Sequence, residues 1–152
     1  MKNYISLVFI SILLFSCSNK KVEQYVLNND SINILIDRAI NQGDYKAYNT
    51  VHSYYNLDGN TEPFLYNSMI MAHKYNLPAA YYDVYWTLAN PITGETINDL
   101  DLKSRYLALY YLLKSYELGY TNAKYNIQDI FGKKTPLPKS GSYLIKMSEI
   151  IE

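Results

Sequence analysis

Residues with reactive side chains are scarce in this chain of 152 residues. The sequence contains one cysteine, Cys17, and two histidines, His52 and His73. The histidines fall on different predicted helices without an HxxxH or HExxH partner, so they indicate ordinary surface or interface residues and not a metal site. Asp99 and Asp101 could act as an acid–base pair. Because they flank a predicted helix start, helix capping is the favoured interpretation.

Composition and motifs argue against most other chemistry. One cysteine excludes a disulfide framework and a Cys-rich zinc site. A formal net charge of zero argues against a nucleic-acid partner, which usually requires a basic excess. The chain has no nucleophile elbow, phosphate-binding loop or dinucleotide fingerprint, and Ser140-Gly141-Ser142 is interpreted as a helix cap. We therefore predict a protein that is not an enzyme, with no metal and no cofactor.

The N-terminus has the layout of an export signal. Lys2 is followed by an apolar stretch over residues 5–15, which is too short to span a membrane and has the length of a signal-peptide core. The stretch ends in Leu14-Phe15-Ser16-Cys17, which resembles the lipobox of bacterial lipoproteins. That resemblance implies a signal peptide over residues 1–16 and lipid attachment at Cys17. An ordinary signal peptide with a chance cysteine is the alternative.

The residues after Cys17 bear on location. Residues 17–29 are predicted to be a tether, and residues 30–152 a single folded domain. Ser18 stands where lipoprotein sorting rules permit transfer to the outer membrane, and the basic pair Lys20-Lys21 favours its periplasmic face. The expected location is the cell envelope, where acylated Cys17 would anchor the protein to the membrane.

The remaining sequence contains three similar units, at residues 39–48, 72–81 and 115–125. In each unit a small residue is followed four positions later by Gly or Asn, and four positions after that by Ala. Gly and Asn tolerate the left-handed conformation that ends a helix. Small residues on either side allow two helices to approach closely, so the pattern predicts helix-turn-helix repeats. The turn residues are Gly43, Asn76 and Gly119.

The third unit resembles the Sel-one-like repeat, a relative of the tetratricopeptide repeat, over residues 102–132. The matching residues are Ala108, Tyr111, Lys114, Gly119, Ala123, Tyr125 and Phe131. The resemblance implies an all-α fold, a short α-solenoid of antiparallel helix pairs with about three repeats. Members of that family are mostly scaffolds and adaptors that bind proteins or peptides.

The coarse layout follows from helical periodicity and turn signals. An amphipathic helix at the C-terminus is expected to cap the stack, Asp30 or Ser31 to cap the first helix, and residues 90–100 to form the longest loop. No strand is predicted. The predicted helices cover residues 31–42, 45–56, 62–76, 78–89, 101–118, 121–131 and 141–151.

Tyrosine is the unusual component, with 18 residues in the chain. Aromatic side chains of this kind favour interfaces, and those of two neighbouring helices could line a binding groove. The alternative is that they fill the layers between helices. The candidate groove residues are Tyr81, Tyr85, Trp86, Tyr106 and Tyr110.

These observations support one leading hypothesis and one alternative. The leading one is a lipid-anchored, non-catalytic module that binds a protein or peptide, as an adaptor or an immunity-type inhibitor. The alternative is binding of cell-wall glycan or peptide in the aromatic groove. An enzyme is the least favoured class.

Overall fold

The computed structural model describes residues 29–59, 62–89, 96–133 and 136–150, and these parts of the chain are all-α, with no strand among them. The helices in them are numbered here in chain order. They are α1 (Asn29–Gln42), α2 (Tyr45–Asp58), α3 (Glu62–Tyr75), α4 (Pro78–Ala89), α5 (Leu102–Glu117), α6 (Ala123–Phe131) and α7 (Gly141–Ser148).

The helices pack as a stack of pairs. Helix α1 packs on α2, α3 on α4, and α5 on α6, and each pair is joined to the next by α1 with α3 and by α4 with α5. The last helix, α7, packs on α5. The predicted all-α class, the helix pairs and the helix that covers the end of the stack are therefore confirmed.

The predicted signal peptide 1–16, the lipid-attachment residue Cys17 and nearly all of the tether lie outside the described residues. Within the parts that are described, no helix is both long and apolar enough to cross a membrane.

The turns inside the pairs have the backbone that the repeat pattern predicts. Gly43, Asn76 and Gly119 have φ angles of 70°, 52° and 88°. Each therefore lies in the left-handed region that ends a helix. The small residues that flank these turns are all buried at the helix contacts, which confirms the close approach. They are Ala39, Ala47, Ala72, Ala80, Ser115 and Ala123.

Aspartates cap two helices through the expected chemistry. Asp44 Oδ1 accepts from the backbone N–H groups of Lys46 and Ala47, each at 3.0 Å. Asp101 makes the equivalent bonds at the start of α5, which confirms its predicted capping role. Asp99 instead accepts from the backbone and hydroxyl of Thr96, at 2.7 and 2.9 Å.

Two other capping predictions have different outcomes. Helix α1 begins at Asn29, so Asp30 and Ser31 lie inside its first turn. Ser140 does lie at the N-cap position of α7, as predicted, but its side chain makes no capping bond. The Ser140 hydroxyl and its backbone N–H both donate to the carboxylate of Glu117, the last residue of α5, at 2.7 and 2.9 Å.

A glycine-to-alanine pair tests the turn geometry. In Gly43→Ala the new Cβ would lie 2.7 Å from the Tyr75 ring, which is held by its hydrogen bond to the Ile40 carbonyl at 3.0 Å. In Gly119→Ala the Cβ meets nothing within 4 Å. We expect Gly119→Ala to cost about 1–2 kcal/mol of left-handed strain and Gly43→Ala to cost about 1–3 kcal/mol more from overpacking. Urea unfolding followed by circular dichroism measures both, and equal losses would contradict the close contact.

Candidate binding cleft

A buried polar network links α2 to α4. The Tyr48 hydroxyl donates to Asp83 Oδ2 at 2.6 Å, a length typical of a bond to a charged acceptor. His52 Nε2 lies 3.3 Å from the other oxygen, Oδ1. Tyr48 is 1% exposed and Asp83 is 7% exposed, so the bond between them replaces most of the contact that these groups would make with water.

The network has further neighbours on both sides. The Ser68 hydroxyl lies 3.1 Å from the Tyr48 oxygen and donates to the Phe64 carbonyl of its own helix. His52 Nε2 also lies 2.7 Å from the amide nitrogen of Asn56. Protonated Nε2 donates to Asp83, whereas unprotonated Nε2 can accept from that amide.

The network forms the floor of an open cleft of about 380 Å³. One wall is aromatic: the Tyr82 ring stacks on Trp86 at 6.1 Å between centroids and lies 5.3 Å from the Tyr120 ring. Such a combination of rings with a few polar groups is typical of ligand sites. The lining residues are His52, Asn56, Tyr82, Asp83, Trp86, Tyr120 and Asn122.

Local structure explains how these side chains meet. Tyr48, His52 and Asn56 are spaced by four along α2 and therefore share one face of that helix. Tyr82, Asp83 and Trp86 come from α4. The turn between α5 and α6, which contains Gly119, carries Tyr120 and Asn122 to the rim. The cleft thus requires residues from all three helix pairs or their turns.

The phenols of the cleft are held in the neutral form. Burial, followed by the charge of Asp83 and the hydrogen bond to it, raises the pKa of Tyr48 strongly. Burial raises the pKa of Tyr82 to about 12 and also raises the pKa of Tyr120. Near neutral pH these side chains therefore act as rings and hydroxyl groups, and Asp83 supplies the negative charge.

His52 makes the stability of the domain depend on pH. Its hydrogen bond to Asp83 raises the pKa of His52 above the ordinary 6.5, and partial burial opposes this only in part. Because the folded pKa is raised, the stabilisation is fully present below pH 6.5 and is lost as the pH rises through the folded pKa.

The variant His52→Gln tests this linkage. Its loss of unfolding free energy relative to the parent chain should be largest below pH 6.5 and should shrink as the pH is raised. Urea titrations of both proteins across that range measure the difference. A difference that grows with pH would contradict the ion pair.

The predicted groove residues lie in several places. Trp86 lines the cleft. Tyr81 is buried and meets Tyr110 edge-on at 6.5 Å, so the structure brings these two together. Tyr85 is buried beside Tyr82, with ring centroids 5.8 Å apart. Tyr106 packs against Tyr143 of α7 at 5.7 Å.

Sequence reasoning missed most of the residues that line the cleft. It treated His52 as an ordinary histidine and passed over Asn56, Asp83 and Asn122. The available signal was the spacing of Tyr48, His52 and Asn56 on one face of a helix. Nothing local in the sequence pairs that face with Asp83, which is 35 residues from Tyr48.

The cleft has clear chemical limits. Its lining, as far as the described residues show it, contains no Ser, Thr or Cys, so the hydroxyl groups among these residues are phenols. In the parts of the chain that the structure describes, no group of three His, Cys, Asp or Glu residues is placed to hold a metal ion. The arrangement is suited to stacking, hydrogen bonding and charge pairing with a bound group.

Comparisons with known proteins identified no relative of this chain. No family model matches the chain, and searches of curated proteins and of solved structures find no match either.

Proposed function

We propose that this protein is a lipid-anchored, non-catalytic binding module of the bacterial cell envelope, which binds another protein as an adaptor or an immunity-type inhibitor. The observation that carries the binding role is the aromatic-walled cleft built on Tyr48, His52 and Asp83. The anchor and the periplasmic side of the outer membrane rest on the sequence around Cys17 and Ser18. The repeat likeness rests on residues 102–132.

Two features support a protein partner. The cleft is open to one side and formed between helices, so an extended segment or a protruding side chain could enter it from outside. The stack of helix pairs also presents a surface made of several elements, which is the usual binding surface of helical repeats.

Capture of the partner from native membranes tests the proposal. The full-length, tagged protein is crosslinked in cells, purified and analysed by mass spectrometry. Trp86→Ala removes an aromatic wall of the cleft, and Tyr66→Ala is the matched control because Tyr66 is 70% exposed and outside the lining. Cys17→Ala removes the proposed lipid site. A partner lost in Trp86→Ala and kept in Tyr66→Ala is expected; equal recovery in both would overturn the role of the cleft.

Cell-wall glycan is the second candidate, and one observation favours it. Aromatic faces next to side-chain amides, here Trp86 and Tyr82 with Asn56 and Asn122, can stack on a sugar ring and bond its hydroxyl groups. Co-sedimentation of the full-length protein with purified peptidoglycan tests it. Binding that is lost in Trp86→Ala is the expected result, and failure to sediment removes this candidate.

A further inference from the structure

The charge of the cleft is one-sided. Among the described residues that line it, Asp83 is the only acidic one, and none is Lys or Arg. Within the described ranges, the only basic side chain that forms an ion pair with Asp83 is His52. Once His52 loses its proton, no described residue supplies a cationic partner for the buried Asp83 carboxylate, and buried charges are normally paired.

The described residues leave part of the hydrogen-bonding capacity of Asp83 unused. A carboxylate offers about four lone-pair sites. Tyr48 occupies one site on Oδ2, and His52 approaches one site on Oδ1. The group lines an open cleft, so a donor that enters the cleft can approach a carboxylate that the fold holds in place.

The wall beside Asp83 suits a cation as well. The rings of Tyr82, Trp86 and Tyr120 lie together at centroid distances of 6.1 and 5.3 Å. Aromatic faces attract ammonium and guanidinium groups, and tryptophan does so most strongly. Aromatic rings can also cover the methylene stem of a long basic side chain.

We infer that the cleft binds a basic side chain, Lys or Arg, presented by the partner protein. The ammonium or guanidinium group pairs with Asp83, and Tyr82, Trp86 and Tyr120 surround the rest of the side chain. This inference rests on the proposed function and specifies the chemistry that the partner must supply.

Protonated His52 competes with such a ligand for Asp83. The other titratable groups around Asp83, among the described residues, are Tyr48 from α2, Tyr82 from its own helix and Tyr120 from the α5–α6 turn. These phenols remain neutral near neutral pH. The affinity for a cation should therefore rise as the pH increases through the pKa of His52 and then level off.

The experiment uses the fluorescence of Trp86, which is the only tryptophan in the chain and lies in the cleft. The full-length protein in mild detergent is titrated with N-acetyl-lysine methylamide and N-acetyl-arginine methylamide. N-acetyl-norleucine methylamide supplies a similar apolar chain without charge, and N,N′-diacetylchitobiose supplies a sugar. Saturable fluorescence changes with the two cationic probes and none with the neutral probe are expected.

Matched variants assign the effect to Asp83. Asp83→Asn keeps the size and an acceptor for Tyr48, and should weaken cation binding about tenfold or more. Asp37→Asn makes the same charge change at an exposed residue of α1 outside the lining, and should leave the affinity unchanged. If circular dichroism shows that Asp83→Asn is unfolded, Tyr120→Leu should lose cation affinity whereas Tyr120→Phe, which keeps the ring, should retain it.

The other outcomes overturn the inference. Saturation by the sugar alone would assign the cleft to a neutral glycan. Equal binding of the norleucine and lysine probes, or no response to any probe, would exclude recognition of a cation. If a protein partner is still captured in a Trp86-dependent manner, only the cationic chemistry fails and the proposed function stands.

Discussion

Leu112→Ala should remove a large part of the folding stability of the domain. Leu112 is fully buried in α5, the helix that contacts α4, α6 and α7. Truncation leaves a cavity where several helices meet, and such changes cost about 2–5 kcal/mol. Because domains of this size are stable by only about 5–15 kcal/mol, we expect a clear fall in the midpoint of urea unfolding measured by circular dichroism.

The same substitution at an exposed leucine is the control. Leu57 lies near the end of α2 and is 89% exposed, so Leu57→Ala should change stability by less than about 0.5 kcal/mol. Similar losses in the two variants would mean that α5 is not the centre of the packed core.

Tyr48→Phe removes a single oxygen atom and should nevertheless lower the free energy of unfolding markedly. The Tyr48 hydroxyl is buried and donates to Asp83 at 2.6 Å. Loss of a hydrogen bond to a charged group costs about 1.5–3 kcal/mol. In this variant His52 would be the remaining partner of Asp83 on α2. Because unprotonated His52 cannot balance the charge of Asp83, we expect the loss of unfolding free energy to be greater at high pH. Urea unfolding on both sides of pH 6.5 measures this.

Tyr66→Phe provides the comparison for that loss. Tyr66 is 70% exposed, so its hydroxyl group is available to water and its removal should be close to neutral. If Tyr48→Phe were equally mild at every pH, the carboxylate would not depend on the phenol, and the cleft floor would have to be held by other contacts.

Much of the fold follows from short-range sequence patterns. Gly43, Asn76 and Gly119 mark the turns because few other residue types adopt a positive φ without strain. The small residues four positions away are buried because only short side chains fit where two helices meet closely. These constraints are local, and they predict the helix pairs and their boundaries to within a few residues.

The helix caps show which hydrogen bonds cannot be predicted from neighbouring residues in the sequence. Asp101 caps α5 as expected, because an aspartate before a helix can bond the free N–H groups directly. Ser140 stands in an equivalent sequence context, yet it bonds Glu117 of another helix. Tertiary packing brings the charged Glu117 carboxylate within reach, and the serine hydroxyl donates to it without accepting from the N–H groups of its own helix.

The sequence by itself determined the all-α class, the paired helices, the closing turns and the helix that covers the last pair, because each depends on residues a few positions apart. Only the tertiary structure decided that Tyr48, His52 and Asp83 meet beneath the rings of Tyr82 and Trp86. Their bonds link α2 to α4, which are separated in the sequence by α3. Helical periodicity specifies which face of a helix is buried, but it does not specify which face of a distant helix packs against it. The candidate site therefore arises from how the pairs stack.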